Sequence, residues 1–383
     1  MFTPMNDTQQ YDVTIIGGGL AGLALSIQLV KKGHTVALFE KEQYPFHKVC
    51  GEYISLESWN FIESLGLPLS QMQLPLIKKL IISSPNGNTL HHDLPLGGFG
   101  ISRYTIDNEL KKIAQSAGVD VYENCKVDDV IFTEEIFHVH TTKGFFTSKV
   151  CAGSFGKRSN LDVKWKRGFI LHKNNKLSNY IGVKYHIKTN FAADTIALHN
   201  FKDGYCGISK IEQDTYCLCY LTNAANLRNN NNSISEMEKN VLYKNSLLKN
   251  IFETCTMLYP APVTISQISF AKKTQLHNHI LLCGDAAGII KPLCGNGMSM
   301  ALHSSKIAAN TISDFLQNKI NRQQLENVYR IDWQHIFGKR LQTGRIIQQL
   351  FGKTWVTNLF ISIMKKLPFF TARLIKQTHG KEF

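Results

Sequence analysis

The chain has 383 residues, 43% of them hydrophobic and 19% charged, with a formal net charge of +14 from 43 Lys plus Arg against 29 Asp plus Glu. This composition supports a large buried core and excludes a disordered or fibrous protein. Nine scattered cysteines, an odd number, argue against a secreted disulfide scaffold and for reduced thiols in a cytoplasmic setting.

Residues 1–11 carry neither a basic nor an apolar stretch of the secretory kind, and no run reaches the ~18 apolar residues of a membrane span. DVTIIG at 12–17 predicts a strand, Leu20 to Lys32 a helix stopped by Gly33, and HTVALFEK a second strand. Together they form a β-turn-α-β unit. Leu56 to Leu65 reads as a helix, and Asn86-Gly87 as the turn of a hairpin. Ile106 to Ala117 follows as an amphipathic helix, and 119–153 as strands ending in a meander. From 165 to 222 short β-prone segments predict a separate, largely β lobe. The Asn-rich run at 223–233 reads as a solvated loop. HILLCGDAAG at 279–288 returns to a strand-then-turn pattern, and Met298 to Leu316 predicts a long helix.

Two segments carry chemistry. Gly17-Gly18-Gly19-Leu20-Ala21-Gly22 fits G-x-G-x-x-G between a strand and a helix. Gly17 permits the tight turn, Gly19 admits a pyrophosphate close to the backbone, and Gly22 allows close helix-strand packing. The helix N-terminus then offers N–H groups to phosphates. Glu40 ends the second strand 18 residues after Gly22, where a carboxylate can accept hydrogen bonds from ribose hydroxyls. The bland alternative is a structural turn followed by a surface Glu.

The second segment is Gly284-Asp285-Ala286-Ala287-Gly288 with Pro292 and Gly295-Asn296-Gly297. Asp285 can hold a polyol, and the helix start can stabilise negative charge on a flavin ring. An Asp cap on an ordinary loop explains the same residues. The pairs His91-His92, His138/His140 and His277/His279 lack zinc-site spacing, so no metal is expected.

With GGGLAG, FEK, KVCGEYIS at 48–55, ISRYTIDNEL at 101–110 and GDAAGIIKPLCGNGMSMAL at 284–302, the chain resembles the FAD-dependent oxidoreductases that include geranylgeranyl reductases and p-hydroxybenzoate hydroxylase-like monooxygenases. The resemblance implies that Ala21 and Glu40 contact the AMP half of FAD, with Lys41 beside them in the cofactor-binding set. It places Cys50 and Gly51 near the flavin, Arg103 along the cofactor and Val127 on the adenine side. It further implies that Asp285, Gly297 and Met298 hold the ribityl chain and ring. Cys50 is the candidate catalytic thiol, and a redox pair of Cys50 with Cys294 is the sharper version of that idea. Two departures stand out: Ala152 to Arg158 lacks the Asp-Gly pair of many relatives, and Gly204 to Ser209 replaces their aromatic segment.

The expected architecture is α/β: a Rossmann-like FAD-binding domain of discontinuous segments (1–75, 97–160, 265–315), an inserted β-sheet substrate domain (76–96, 161–264) and a C-terminal helical region (316–383). The expected activity takes electrons from a transient donor such as NAD(P)H and acts on an apolar isoprenoid, aromatic or polyketide-like substrate. C=C reduction and flavin-hydroperoxide hydroxylation are the two outcomes. Nucleic acid is not an expected partner. From Trp333 onward nine basic residues face one acidic residue, interleaved with Leu, Ile, Phe and Trp. That pattern fits a helical cap on the core or peripheral contact with the inner face of a membrane. The alternative function is a basic membrane-binding protein with an inert flavoprotein fold.

Overall fold

The computed structural model describes residues 9–171, 178–289, 296–350, 354–366 and 380–383. Two sheets organise it. In the first, of eight strands, Gln9–Ile16 lies parallel between Val36–Phe39 and Gly144–Gly153, and Ile280–Leu282 runs parallel on the far side of Gly144–Gly153. Val13, Ile15, Val36, Leu38 and Leu281 are wholly or almost wholly buried, as expected where helices cover both faces of a parallel sheet. Helices Leu20–Lys31, Gly297–Leu316 and Arg322–Leu350 pack in sequence on this core. The last presents Leu325, Tyr329, Trp333 and Phe337, spaced four apart, as one buried stripe.

This topology has one consequence for ligands. The carboxyl ends of four parallel strands deliver Gly17, Glu40, Ser154 and Gly284 to the same edge of the sheet. In open α/β sheets, ligands bind in the crevice outside such an edge.

The second sheet has nine strands, mostly antiparallel, with Thr195–Phe201 and Leu76–Ser83 as a parallel pair. The predicted hairpin about Asn86-Gly87 is present as Leu76–Ser83 paired with Thr89–Gly100. Along Thr195–Phe201 the faces alternate as strand geometry requires. Ile196 and Leu198 join Leu80 and Leu94 on one side, while Ala197 and Phe201 join Leu218, Met237, Leu242 and Leu248 on the other.

Helix Arg103–Ser116 begins three residues before its predicted start, because Ser102 Oγ accepts the Thr105 N–H at 3.0 Å and caps it. The Asn-rich run is a solvated turn only in its second part, where Asn229, Asn231 and Asn232 are exposed. Asn223 caps a short helix, Ala224–Arg228, by accepting the Ala225 N–H at 2.9 Å. Asn226 is buried and donates to the Lys202 carbonyl and to Thr222 Oγ1, both at 2.8 Å. Amides that satisfy buried backbone look the same in composition as amides that face water. Among the described residues, no helix is long and apolar enough to cross a membrane.

Candidate functional site

The glycine turn is fixed by close backbone approach. Gly17 has φ +100°, and a Cβ on it would lie 2.7 Å from the Ser154 carbonyl oxygen. A Cβ on Gly22 would lie 2.1 Å from the Gly17 carbonyl oxygen and 2.5 Å from Ser154 Oγ. Ser154 completes the contact, its hydroxyl donating to the Gly17 carbonyl at 2.6 Å. The Gly18 N–H donates to Glu40 Oε2 at 2.9 Å, and the Tyr44 hydroxyl donates to the Gly18 carbonyl.

Gly19, where helix Leu20–Lys31 starts, looks instead onto cations. The nearest atoms to a Cβ there would be Arg103 Nη2 at 3.5 Å and Lys48 Nζ at 4.0 Å. No acidic residue occupies the first turn of that helix. Arg103 and Lys48 are held by one carboxylate, Asp107, at 2.7 and 2.9 Å. Burial pushes the Asp107 carboxyl up, but the two cations outweigh it and hold it below the usual carboxylate range.

The loop carrying Cys50 is tied down by Glu52, which is fully buried. Glu52 accepts the Arg103 N–H at 2.9 Å, Lys184 Nζ at 2.8 Å and His186 Nε2 at 2.6 Å. Burial alone would raise its pKa; the His186 hydrogen bond and the Lys184 charge reverse the sign and lower it. Glu52, His186 and Cys217 group their potential ligand atoms within 4.8 Å. Lys184 already occupies one carboxylate oxygen, so the group reads as a charged clasp between loop and sheet. Cys50 is partly exposed, with Sγ 3.5 Å from Met298 Sδ and its carbonyl accepting from Cys217 Sγ at 3.2 Å. Cys294, Pro292 and Gly295 lie outside the described residues.

Behind Asp285, three successive carbonyls are pinned from the protein side. Lys273 Nζ donates to Asp285 O at 2.9 Å, Arg167 Nη1 to Ala286 O at 3.1 Å and Gln275 Nε2 to Ala287 O at 3.3 Å. Arg167 is neutralised by Asp162 at 2.7 Å. Lys273 also donates to Lys157 O at 2.9 Å, and burial lowers its pKa to about 8.

These parts surround one cavity of about 1020 Å³. Gly17, Gly19, Ala21, Glu40 and Lys41 line it, and so do Cys50, Gly51, Arg103, Val127, Asp285, Gly297 and Met298. Gly22 does not line it, consistent with its packing role. The donors fit an elongated, phosphate-bearing dinucleotide: a helix N-terminus that no side chain caps, two cations over the glycine turn, and a carboxylate at each of two strand-end turns.

Residues 15–49 match the family model of an NAD(P)-binding Rossmann-like domain. The chain is 24% identical over 382 residues to digeranylgeranylglycerophospholipid reductase 1 of Methanococcoides burtonii, covering 89% of this chain and 84% of the relative. It is similar in this way to the FAD-dependent oxidoreductases of the geranylgeranyl reductase and p-hydroxybenzoate hydroxylase type. Another relative is conditioned medium factor receptor 1 of Dictyostelium discoideum, 24% identical over 363 residues and covering 87% of this chain and 69% of that protein. The fold of this FAD-dependent enzyme is shared with a geranylgeranyl bacteriochlorophyll reductase-like protein from Thermoplasma acidophilum (TM-score 0.80, 16% identity, 98% and 97% of the two chains). It is shared also with the flavin-dependent brominase Bmp2 (TM-score 0.76, 20% identity, 97% and 93%).

Sequence reading missed the residues that hold the cavity-lining groups in place. Asp107 was on the predicted helix Ile106 to Ala117, but Arg103 fell outside it, and only the observed start at Arg103 makes the two an i,i+4 pair. Glu52, Lys184 and His186 carried none, because their partners are far apart in the chain, and Arg167 and Lys273 carried none, because they act on backbone carbonyls. Lys273 offers a test of the pinned turn. Lys273→Met removes both donors and is expected to weaken FAD retention about tenfold, the cost of roughly 1.4 kcal/mol. Fluorescence titration of apoprotein with FAD would show it, and unchanged affinity would mean that the turn holds its shape without the lysine.

Proposed function

We propose that this FAD-dependent oxidoreductase accepts electrons from a transient NAD(P)H donor and reduces a C=C bond of an apolar, isoprenoid-like substrate. The observation that carries this reading is the apolar extension of the cavity. Leu80, Leu90 and Leu94 line it with Ile196, Leu198 and Phe360, and the same cavity reaches Cys50, Gly51 and Met298. Such a wall offers a long hydrocarbon its transfer free energy, about 25 cal/mol per Å² of apolar surface, and gives a charged substrate no partner.

FAD supplies hydride transfer when bound. The chain's own contribution is to bind and to exclude water. Arg103 and Lys48 meet phosphate charge at the glycine turn, and the carbonyl clamp by Lys273, Arg167 and Gln275 fixes Asp285. The second sheet closes the apolar wall. Cys50, next to Met298 and on the cavity surface, is the candidate to touch the reacting end. The reductase relative, similar along nearly nine-tenths of this chain, supports reduction.

The test is anaerobic reduction by NADPH or NADH followed by a polyprenyl acceptor, with saturated product measured by mass spectrometry. Oxygen consumption coupled to hydroxylated or halogenated product would instead favour an oxidative reaction. In the same assay Leu198→Phe, which fills the apolar arm, is expected to raise the acceptor KM about tenfold while FAD content and reduction by the donor stay unchanged.

A further inference from the structure

Helix Thr354–Lys366 has two apolar faces. Thr357, Ile361 and Met364 are buried on its inner side, where Ile361 and Met364 pack with Leu90, and Phe360 and Met364 also line the cavity. Its outer side carries Trp355, Leu359 and Ile363, which are 69%, 54% and 45% exposed. At a spacing of four they form one stripe along the helix. A helix at a water interface ordinarily turns charge outward. This one turns out a large aromatic and two branched aliphatics, ends on exposed Lys365 and Lys366, and contains no acidic residue.

The charge selects the occupant. The helix carries Lys365 and Lys366 and no acidic residue, so a second copy of the same face would meet like charge. An anionic bilayer meets both features: Trp favours the headgroup boundary, aliphatics enter the acyl region, and each Lys near the surface contributes about 1 kcal/mol.

We propose that helix Thr354–Lys366 docks the protein on an anionic lipid surface through Trp355, Leu359 and Ile363, with Lys365 and Lys366 over the headgroups. The helix is then a wall one helix thick between the bilayer and the apolar arm of the cavity. A substrate drawn from lipid would cross at this wall. The docking surface stands on its own residues; only substrate delivery rests on the apolar-acceptor reading.

The experiment uses the full-length, FAD-loaded protein and vesicles of phosphatidylcholine alone or with 30% phosphatidylserine (~30%, a strongly anionic surface). Binding is expected to the anionic vesicles, falling as salt rises, with brominated lipid quenching Trp355 in the wild type but not the corresponding fraction in Trp355→Phe. The triple variant Trp355→Glu/Leu359→Glu/Ile363→Glu is expected to lose binding at least about tenfold while keeping FAD, melting temperature and reduction by the donor, because all three side chains face outward. Equal binding by the triple variant overturns the proposal. So does equal binding to neutral vesicles, or a dimer that the triple variant dissociates. Turnover of a detergent-dispersed acceptor is measured in parallel: its failure strikes the reductase reading and leaves the docking result standing.

Discussion

Gly22→Val is expected to yield colourless protein. A Cβ at this position would sit 2.1 Å from the Gly17 carbonyl oxygen and 2.5 Å from Ser154 Oγ, and neither can retreat. Gly17 is fixed by its left-handed φ, and Ser154 is fixed by hydrogen bonds to the Ile16 and Gly17 carbonyls. Helix Leu20–Lys31 must therefore move off the first strand, taking its free N–H groups away from the phosphates they would bind. Overpacking of this kind costs about 3 kcal/mol, and the displaced helix end removes the anion site as well. Absorbance of the purified protein measures the loss directly, and thermal unfolding measures the strain. Gly51→Ala is the control. Gly51 also lines the cavity, yet nothing stands within 4 Å of its added Cβ, so stability is expected to be unchanged. A yellow, stable Gly22→Val protein would show that the glycine turn does not grip the cofactor.

Glu52→Gln is expected to be the most damaging single change outside the glycine turn. It removes the one full negative charge on Lys184 and His186 without changing side-chain size. Lys184 is 1% exposed and left with no carboxylate partner among the described contacts, and breaking a buried pair in this way costs about 3–5 kcal/mol. The pH dependence has a definite sign. The folded-state pKa of Glu52 is lowered, so its contribution is present above the unfolded value near ~4.3 and is lost as pH falls through the folded value. The Lys184 pKa is raised, because Glu52 outweighs the burial that would lower it; that contribution is present below ~10.4 and is lost as pH rises through the folded value. Chemical denaturation of wild type against Glu52→Gln, from neutral to acid pH, is expected to show the gap between them narrowing on acidification. A gap that stays constant would place the damage in packing and not in charge.

The parts of the site that could be read from sequence are those whose partners are near in the chain. The glycine turn and the helix it opens are contiguous, and Glu40 follows at a spacing set by one helix and one strand. The Asp285 turn likewise announces itself by a strand on one side and a long helix on the other. Glu52 was in view within KVCGEY, but its side-chain partners Lys184 and His186 lie more than 130 residues away on a strand whose alternation predicts only β structure. Nothing local tells a buried Lys184 from a solvated one. Lys273 and Arg167 are the same case, since their work is done on backbone carbonyls that any sequence supplies. The first part of the asparagine run failed for the opposite reason: composition pointed to solvent, while Asn223 and Asn226 use their polarity for capping and for buried backbone.

The clasp at Glu52 also bears on protein engineering. Its acid belongs to a loop that lines the cavity, while its partners Lys184 and His186 belong to the second sheet, so the Glu52–Lys184 ion pair is split when either half is taken alone. A chimera that grafts the substrate sheet of a relative onto this nucleotide-binding half would need to import the Lys-and-His pair at matching register, or retire the acid at the same time. Swapping pockets between these enzymes is for that reason a problem of matched charge as well as matched shape.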